Sequence, residues 1–293
     1  MEYGLALPSY RVGASREGIE AAAETAARLR WQGVFTTDHL LVEASPRSTD
    51  YFAVFDPLIT LAHLAPLQPN LRLGVSVVVV PMRNAVVLAK ELATIDALSG
   101  GRLIAGVGVG WNEQEFANVG AADRFHRRGA YLDEAIALWR HLWAGGTGPF
   151  EGRFHSFDDV RFAPLPAQGA QLPIWVGGRH EAALRRAGTL GDGYHATASS
   201  PAQLAVRLPV VRQAAEAAGR PMPLVSARVR VAFGAHEGPM YMMAGTPEQM
   251  VSEVRAFAEL GVEQLTFDFV ESDAAALVAL MERFDREVLA ALR

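Results

Sequence analysis

Leu71-Arg72-Leu73-Gly74-Val75-Ser76-Val77-Val78-Val79-Val80 decides the fold. The run is almost wholly apolar and rich in β-branched residues, the pattern of a strand buried on both faces of a parallel sheet. Residues 85–98 then place apolar side chains at helical spacing, and residues 102–109 form the next β-branched run. One strand, one helix and one strand in that order make a crossover unit with parallel strands.

Working outward, the same alternation fills the chain. Toward the N-terminus lie strands at residues 3–8 and 33–37, with helices over 16–30 and 54–64. Toward the C-terminus, a helix over 129–143 leads into a Gly- and Pro-rich stretch at 144–172, with a short hairpin expected around Phe154 and Phe162. Strands then follow at 173–176, 193–197, 224–233 and 264–269, separated by helices over 180–190, 201–218 and 247–260. A helix over 273–292 closes the chain. Eight strands alternating with eight helices is the count of a (β/α)8 barrel, and such barrels run to roughly 250 residues as one domain. The expectation is therefore a single barrel domain over residues 1–293, with a loop insertion between the fourth helix and the fifth strand. An open doubly wound sheet normally carries a glycine-rich turn after its first strand. Here that strand ends Pro8-Ser9-Tyr10.

Composition excludes several functions. The net charge is -5 and no basic block is present, so a nucleic-acid partner is not expected. Cysteine is absent, which removes disulfides and thiolate metal sites. The first residues lack a signal-peptide pattern, and no apolar run is long enough to cross a bilayer. The expectation is a cytoplasmic protein with no membrane partner. The first strand has no His-x-His, and no Gly-x-Ser-x-Gly elbow occurs. Lys90, the only lysine, falls inside a helix. His63, His126, His141 and His155 are scattered, as surface or packing residues are.

Function in such barrels gathers on the loops after each strand. After the second strand stand Asp38 and His39. They read as a capped loop with a solvated histidine, or as an imidazole whose neighbour sets its tautomer for proton transfer. In the third strand Ser76 is either a core hydroxyl or a hydrogen bond to a ring ligand across the mouth. The fourth strand ends Gly106-Val107-Gly108-Val109-Gly110-Trp111-Asn112-Glu113. Its glycines admit either tight packing or a flat ligand at the backbone. Trp111, Asn112 and Glu113 offer a stacking face, an amide and a carboxylate. After the fifth strand, Gly177-Gly178-Arg179 opens a helix. Free N–H groups and a positive dipole end there suit a phosphate. Thr197 ends the sixth strand within reach of a ligand.

Together these strings resemble the luciferase-like monooxygenase superfamily, within it the branch that uses the deazaflavin coenzyme F420. The resemblance covers nearly the whole chain. It rests on residues 73–77, 93–102 and 106–113, and on Pro173-Ile174-Trp175-Val176-Gly177-Gly178 through Gly191-Asp192-Gly193-Tyr194. It implies a barrel, a non-covalent FMN or F420, and redox chemistry at its central ring; a homodimer acting on a small-molecule substrate is expected. It further implies Asp38 and His39 near the ring, a non-prolyl cis bond at Ser76–Val77, and phosphate at Gly177-Gly178. Sugar-phosphate dehydrogenases of this branch carry a glutamate directly after the fourth-strand glycines, where this chain has Trp111, so glucose-6-phosphate oxidation is not implied.

The expected function is hydride transfer between F420 and a small organic substrate, with His39, and secondarily Glu113, moving protons. Asp38, Ser76, Val77, Gly108, Asn112, Gly177, Gly178, Arg179 and Thr197 are the expected cofactor residues. Three alternatives stay open: an FMN-dependent monooxygenase, a lyase or isomerase that grips a phosphorylated substrate, and a non-catalytic flavin binder.

Overall fold

The barrel strands are β1 (Glu2–Ala6), β2 (Gly33–Thr36), β3 (Arg72–Val75), β4 (Leu103–Gly108), β5 (Ile174–Gly177), β6 (Gly193–Thr197), β7 (Leu224–Phe233) and β8 (Val262–Phe269). Every neighbouring pair is parallel, and β7 pairs with both β6 and β8, so the sheet closes on itself. This computed structural model describes residues 1–293 apart from Val12, Arg47, Pro239 and Ser272. The helices are α1 (Arg16–Arg28), α2 (Pro57–Leu67), α3 (Ala85–Ser99), α4 (Glu113–Asn118), α5 (Arg128–Trp143), α6 (Glu181–Leu190), α7 (Pro201–Ala217), α8 (Pro247–Glu259) and α9 (Ala274–Glu287). All but α4 are the crossover helices that cover the barrel.

The helices start where local chemistry allows. Ser200 and Thr246 each form a capping box with the glutamine three residues on, and Pro201 and Pro247 follow at the first helical position. The missing N–H of proline costs nothing there. Inside the barrel, space is shared unequally. Phe35 and Trp175 fill the centre, with ring centroids 6.0 Å apart. A Cβ at Gly74 would lie 2.3 Å from the Phe35 ring, and one at Gly193 would lie 2.3 Å from that of Trp175. Large residues on one strand therefore require glycine on the next.

Three elements differ from the expected ones. The third strand is not continuous: its ladder stops at Val75 and resumes over Val78–Val79. The hairpin in the insertion pairs Phe150–Glu151 with Ser156–Phe157. The last helix ends at Glu287, and a 3-10 turn covers Leu289–Leu292. Among the described residues no helix is long and apolar enough to cross a membrane.

Candidate active site

At the end of β2 the chain buries both Asp38 and His39. Asp38 accepts the Val79 N–H at 2.8 Å and is ion-paired to Arg83, also at 2.8 Å. It ties the loop after β2 to the loop after β3 rather than steadying its neighbour. The partner of His39 is Glu115, a buried residue on α4: Nδ1 lies 2.8 Å from Glu115 Oε2, while Oε1 accepts the Leu40 N–H at 2.6 Å. A carboxylate at Nδ1 holds the hydrogen there, so in the neutral ring Nε2 carries the lone pair. Nε2 has no hydrogen-bond partner among the described residues. Asn112 places the carboxylate, since its side chain caps α4 by accepting the Glu115 N–H at 3.2 Å and donates to Glu43 at 2.5 Å. Around His39 runs an aromatic wall. Its ring centroid is 4.0 Å from that of Tyr51 and 6.0 Å from Trp111, and Tyr51 stacks on Tyr10.

Beyond β3 the Ser76–Val77 peptide is cis, as expected. Val77 wedges into the barrel rim. A Cβ on Gly108 would lie 2.5 Å from its Cγ2, and one on Gly177 would lie 2.8 Å from its Cγ1. At Gly106 a Cβ would fall 1.8 Å from the Val75 carbonyl oxygen. The room left by these glycines is thus taken by the third strand, not held open for a ligand. Ser76 Oγ lies 2.7 Å from His195 Nε2, and His195 Nδ1 bonds Ser226. Burial, helped by Arg228, lowers the His195 pKa to about 3, so this imidazole is neutral.

A charged network spans β1, β7 and β8. Arg228, fully buried, donates to Thr37 Oγ1 at 2.8 Å, to the Ser76 carbonyl at 3.0 Å, to the Tyr10 hydroxyl at 2.7 Å and to Asp268 at 2.9 Å. Arg11 pairs with Asp268 at 3.0 Å and lies 3.5 Å from Asp50. Arg230 pairs with Asp50 at 2.6 Å. Burial alone would raise the Asp268 pKa, but Arg228 and Arg11 outweigh it and hold the carboxyl at about 2. Burial likewise pushes the Tyr10 phenol well above its ordinary value.

On the opposite rim, Gly178 adopts φ +140°, and a Cβ there would lie 2.5 Å from that of Ala183. Exposed Arg179 follows, and His180 caps α6 without a side-chain bond. The Tyr194 hydroxyl donates to the Gly178 carbonyl at 3.1 Å, and Arg207, bonded to Ser199, lies near the same phenol. Thr197 is half-buried at the end of β6.

The structure gathers His39, Ser76, Val77, Gly177, Gly178, Arg179 and Thr197 at the C-terminal mouth. Glu113 is set apart: its carboxylate is largely exposed and lies 3.5 Å from His126. Sequence reasoning missed Glu115, Tyr10, Tyr51, Arg207 and the Arg228–Asp268 pair. Among the described residues no cluster of His, Cys, Asp or Glu could hold a metal.

An F420-dependent glucose-6-phosphate dehydrogenase from Kineococcus radiotolerans is 30% identical over 64% of this chain and 56% of its own length. The chain spans about half the length of the curated relatives it matches at this level. An F420-dependent secondary alcohol dehydrogenase, solved with an F420-acetone adduct, superimposes with a TM-score of 0.82 at 18% identity, covering 99% of this chain and 98% of that one. The oxygenating constituent of 3,6-diketocamphane monooxygenase from Pseudomonas putida, solved with FMN, gives 0.79 at 16% identity, with 98% of each chain covered. At these identities the two structures speak for the fold alone. A family model described as Luciferase-like monooxygenase matches residues 4–238, well over half of the sequence, and the chain belongs to that family.

Proposed function

We propose that the chain is an F420-dependent oxidoreductase acting on a small organic substrate, with His39 as its acid–base group. The observation that carries this reading is the buried His39–Glu115 pair, which leaves Nε2 without a partner among the described residues, beside an aromatic wall at the barrel mouth. The choice of F420 over FMN leans on the Kineococcus radiotolerans relative.

The residues present fit a phosphorylated ring cofactor. The first turn of α6 has no side-chain cap, so its leading N–H groups and dipole suit an anion, and Arg179 and Arg207 flank the same end with positive charge. Val77, half-buried between Gly108 and Gly177, offers an apolar support for a flat ring. Gly177, Gly178, Arg179 and Arg207 would therefore hold the phosphate, with Ser76, Val77 and Thr197 beside the ring. When bound, the deazaflavin supplies a hydride donor or acceptor at its C5 carbon.

The chain's own part is the proton. Oxidation of an alcohol releases one proton along with the hydride, and His39 Nε2 takes it. Reduction runs the other way, and Nε2–H gives it back. Glu115 keeps Nδ1 protonated throughout and balances the imidazolium. A placed group of this kind contributes about a hundredfold to ten-thousandfold to such a step. Trp111 adds apolar surface where sugar-phosphate dehydrogenases of the branch carry a glutamate, so glucose-6-phosphate is not the substrate proposed.

Native mass spectrometry of the ligand kept through purification tests the reading. Retained F420 supports it. Retained FMN moves the chain to the monooxygenases, and a retained phosphorylated metabolite moves it to lyase or isomerase chemistry.

A further inference from the structure

We propose that the barrel mouth holds a second anion site, built by Arg11, Arg228 and Arg230, which takes the carboxylate of an organic-acid substrate. That the occupant is a substrate rests on the oxidoreductase reading above; the site itself rests on the following geometry.

Three guanidinium groups share two carboxylates. Arg228 and Asp268 form the buried floor, at 2.9 Å. Arg11 reaches both Asp268 and Asp50, and Arg230 reaches Asp50 and, at 3.9 Å, Asp268. Among the described residues one positive charge is left over. Desolvated charge without a counter-charge is costly, and an incoming anion would remove that cost.

One donor marks where the anion would sit. Arg11 is spent inward: Nη1 and Nη2 meet Asp268, and its buried Nε lies 3.5 Å from Asp50 Oδ2. Arg230 engages Asp50 through Nη2, and its Nη1 meets no acceptor among the described residues. Its side chain keeps 23% exposure and that of Asp50 41%, so this side of the network opens to an incoming molecule, whereas Arg228 and Asp268 are closed off. Guanidinium groups bind carboxylates through paired N–H donors, which favours a planar anion. Arg11 holds φ +77°, a backbone conformation that non-glycine residues keep only when their surroundings enforce it.

Cofactor phosphate does not account for this charge. The Gly177-Gly178 turn follows β5, and β1 lies opposite β5 in the eight-strand ring. The network also borders the proposed proton-transfer group, because Tyr10, bonded to both Arg228 and Asp268, stacks on Tyr51, whose ring packs against His39. An acid whose carboxylate meets Arg230 would thus lay its neighbouring carbons along the aromatic wall.

The test is calorimetric titration of the full chain with benzoate and with benzamide, which share a ring and differ in charge. Benzoate is expected to bind at least tenfold more tightly. Arg230→Met should erase that preference, and Asp50→Asn, which raises the surplus charge to two, should strengthen benzoate binding. Opposite signs from two neighbouring substitutions cannot both come from misfolding. F420 is titrated into the same preparations and read by its own fluorescence, and its affinity should be equal in all three. Equal binding of benzoate and benzamide by the parent overturns the proposal, as does a preference that survives in Arg230→Met. Absence of F420 binding with the benzoate pattern intact overturns the cofactor reading and leaves the anion site standing.

Discussion

Replacing Glu115 with glutamine keeps the shape of the His39 pair and reverses its hydrogen-bond logic. Glu115 is 1% exposed and accepts two bonds, from the Leu40 N–H at 2.6 Å and at His39 Nδ1 at 2.8 Å. A glutamine has one oxygen and one NH2 group. If the oxygen keeps the Leu40 N–H, the NH2 faces Nδ1 and can be accepted there only when Nδ1 has no hydrogen. The ring then carries its hydrogen on Nε2, and Nε2 can no longer take a proton from substrate. Hydrogen bonds to charged groups contribute about 1.5 to 3 kcal/mol, so one weakened bond should cost about 2 kcal/mol of stability. The chemical step should suffer more, by about a hundredfold to ten-thousandfold, the usual worth of a positioned base. Urea unfolding measures the first effect, and single-turnover rates at saturating cofactor measure the second. A Glu115→Gln variant with parental single-turnover rate would refute the reasoning and reduce the pair to a structural contact.

Further expectations follow from the same geometry. Gly108→Ala puts a methyl 2.5 Å from Val77 Cγ2, about 1 Å inside normal carbon contact, so Val77 must shift and F420 affinity should drop about tenfold or more in a fluorescence titration; undiminished affinity would mean that Val77 does not support the ring. Asp38→Asn should behave as a stability mutant, because it takes one of two carboxylates from Arg83, which keeps Asp56 at 3.0 Å, at a cost of about 2 kcal/mol; a variant of parental stability with weakened F420 binding would restore Asp38 to the cofactor site. Acid should destabilise the fold in two stages. His195 titrates near its ordinary 6.5 when unfolded and at about 3 when folded. The unfolded chain therefore binds more protons between those values, and stability, complete above pH 6.5, falls as pH drops, by up to about 1.4 kcal/mol per pH unit. Asp268, ordinarily 3.8 and about 2 in the fold, adds a similar loss as pH falls from near 4 toward 2. His195→Asn should flatten the upper stage in urea melts taken across pH.

The barrel was legible because its cause is periodic: apolar strands and amphipathic helices repeat along the whole chain. The acid–base pair was only half legible. His39 stood at a strand end, but its partner lies 76 residues away on a six-residue helix too short to show a period. Asn112 and Glu115 do have the spacing of a helix start, which announces the helix but not the direction of its carboxylate. Glu113, nearer the strand, turned outward. The arginine network did leave a trace. Ser226, Arg228 and Arg230 alternate in β7, as Gln264, Thr266 and Asp268 do in β8, and residues two apart share one face of a strand. Arg230 stands opposite Asp268 in the ladder. The glycines of β4 misled, because the third strand's inward turn at Val77, which uses their space, is a tertiary feature.

In the proposed function this mouth binds F420 and puts His39 beside it. The most direct test is a pair of equilibrium titrations of the purified chain, one with F420 and one with FMN, followed by cofactor fluorescence. Saturable F420 binding is expected, much tighter than FMN binding and retained in His39→Ala. Tight FMN binding with no measurable response to F420 would contradict it.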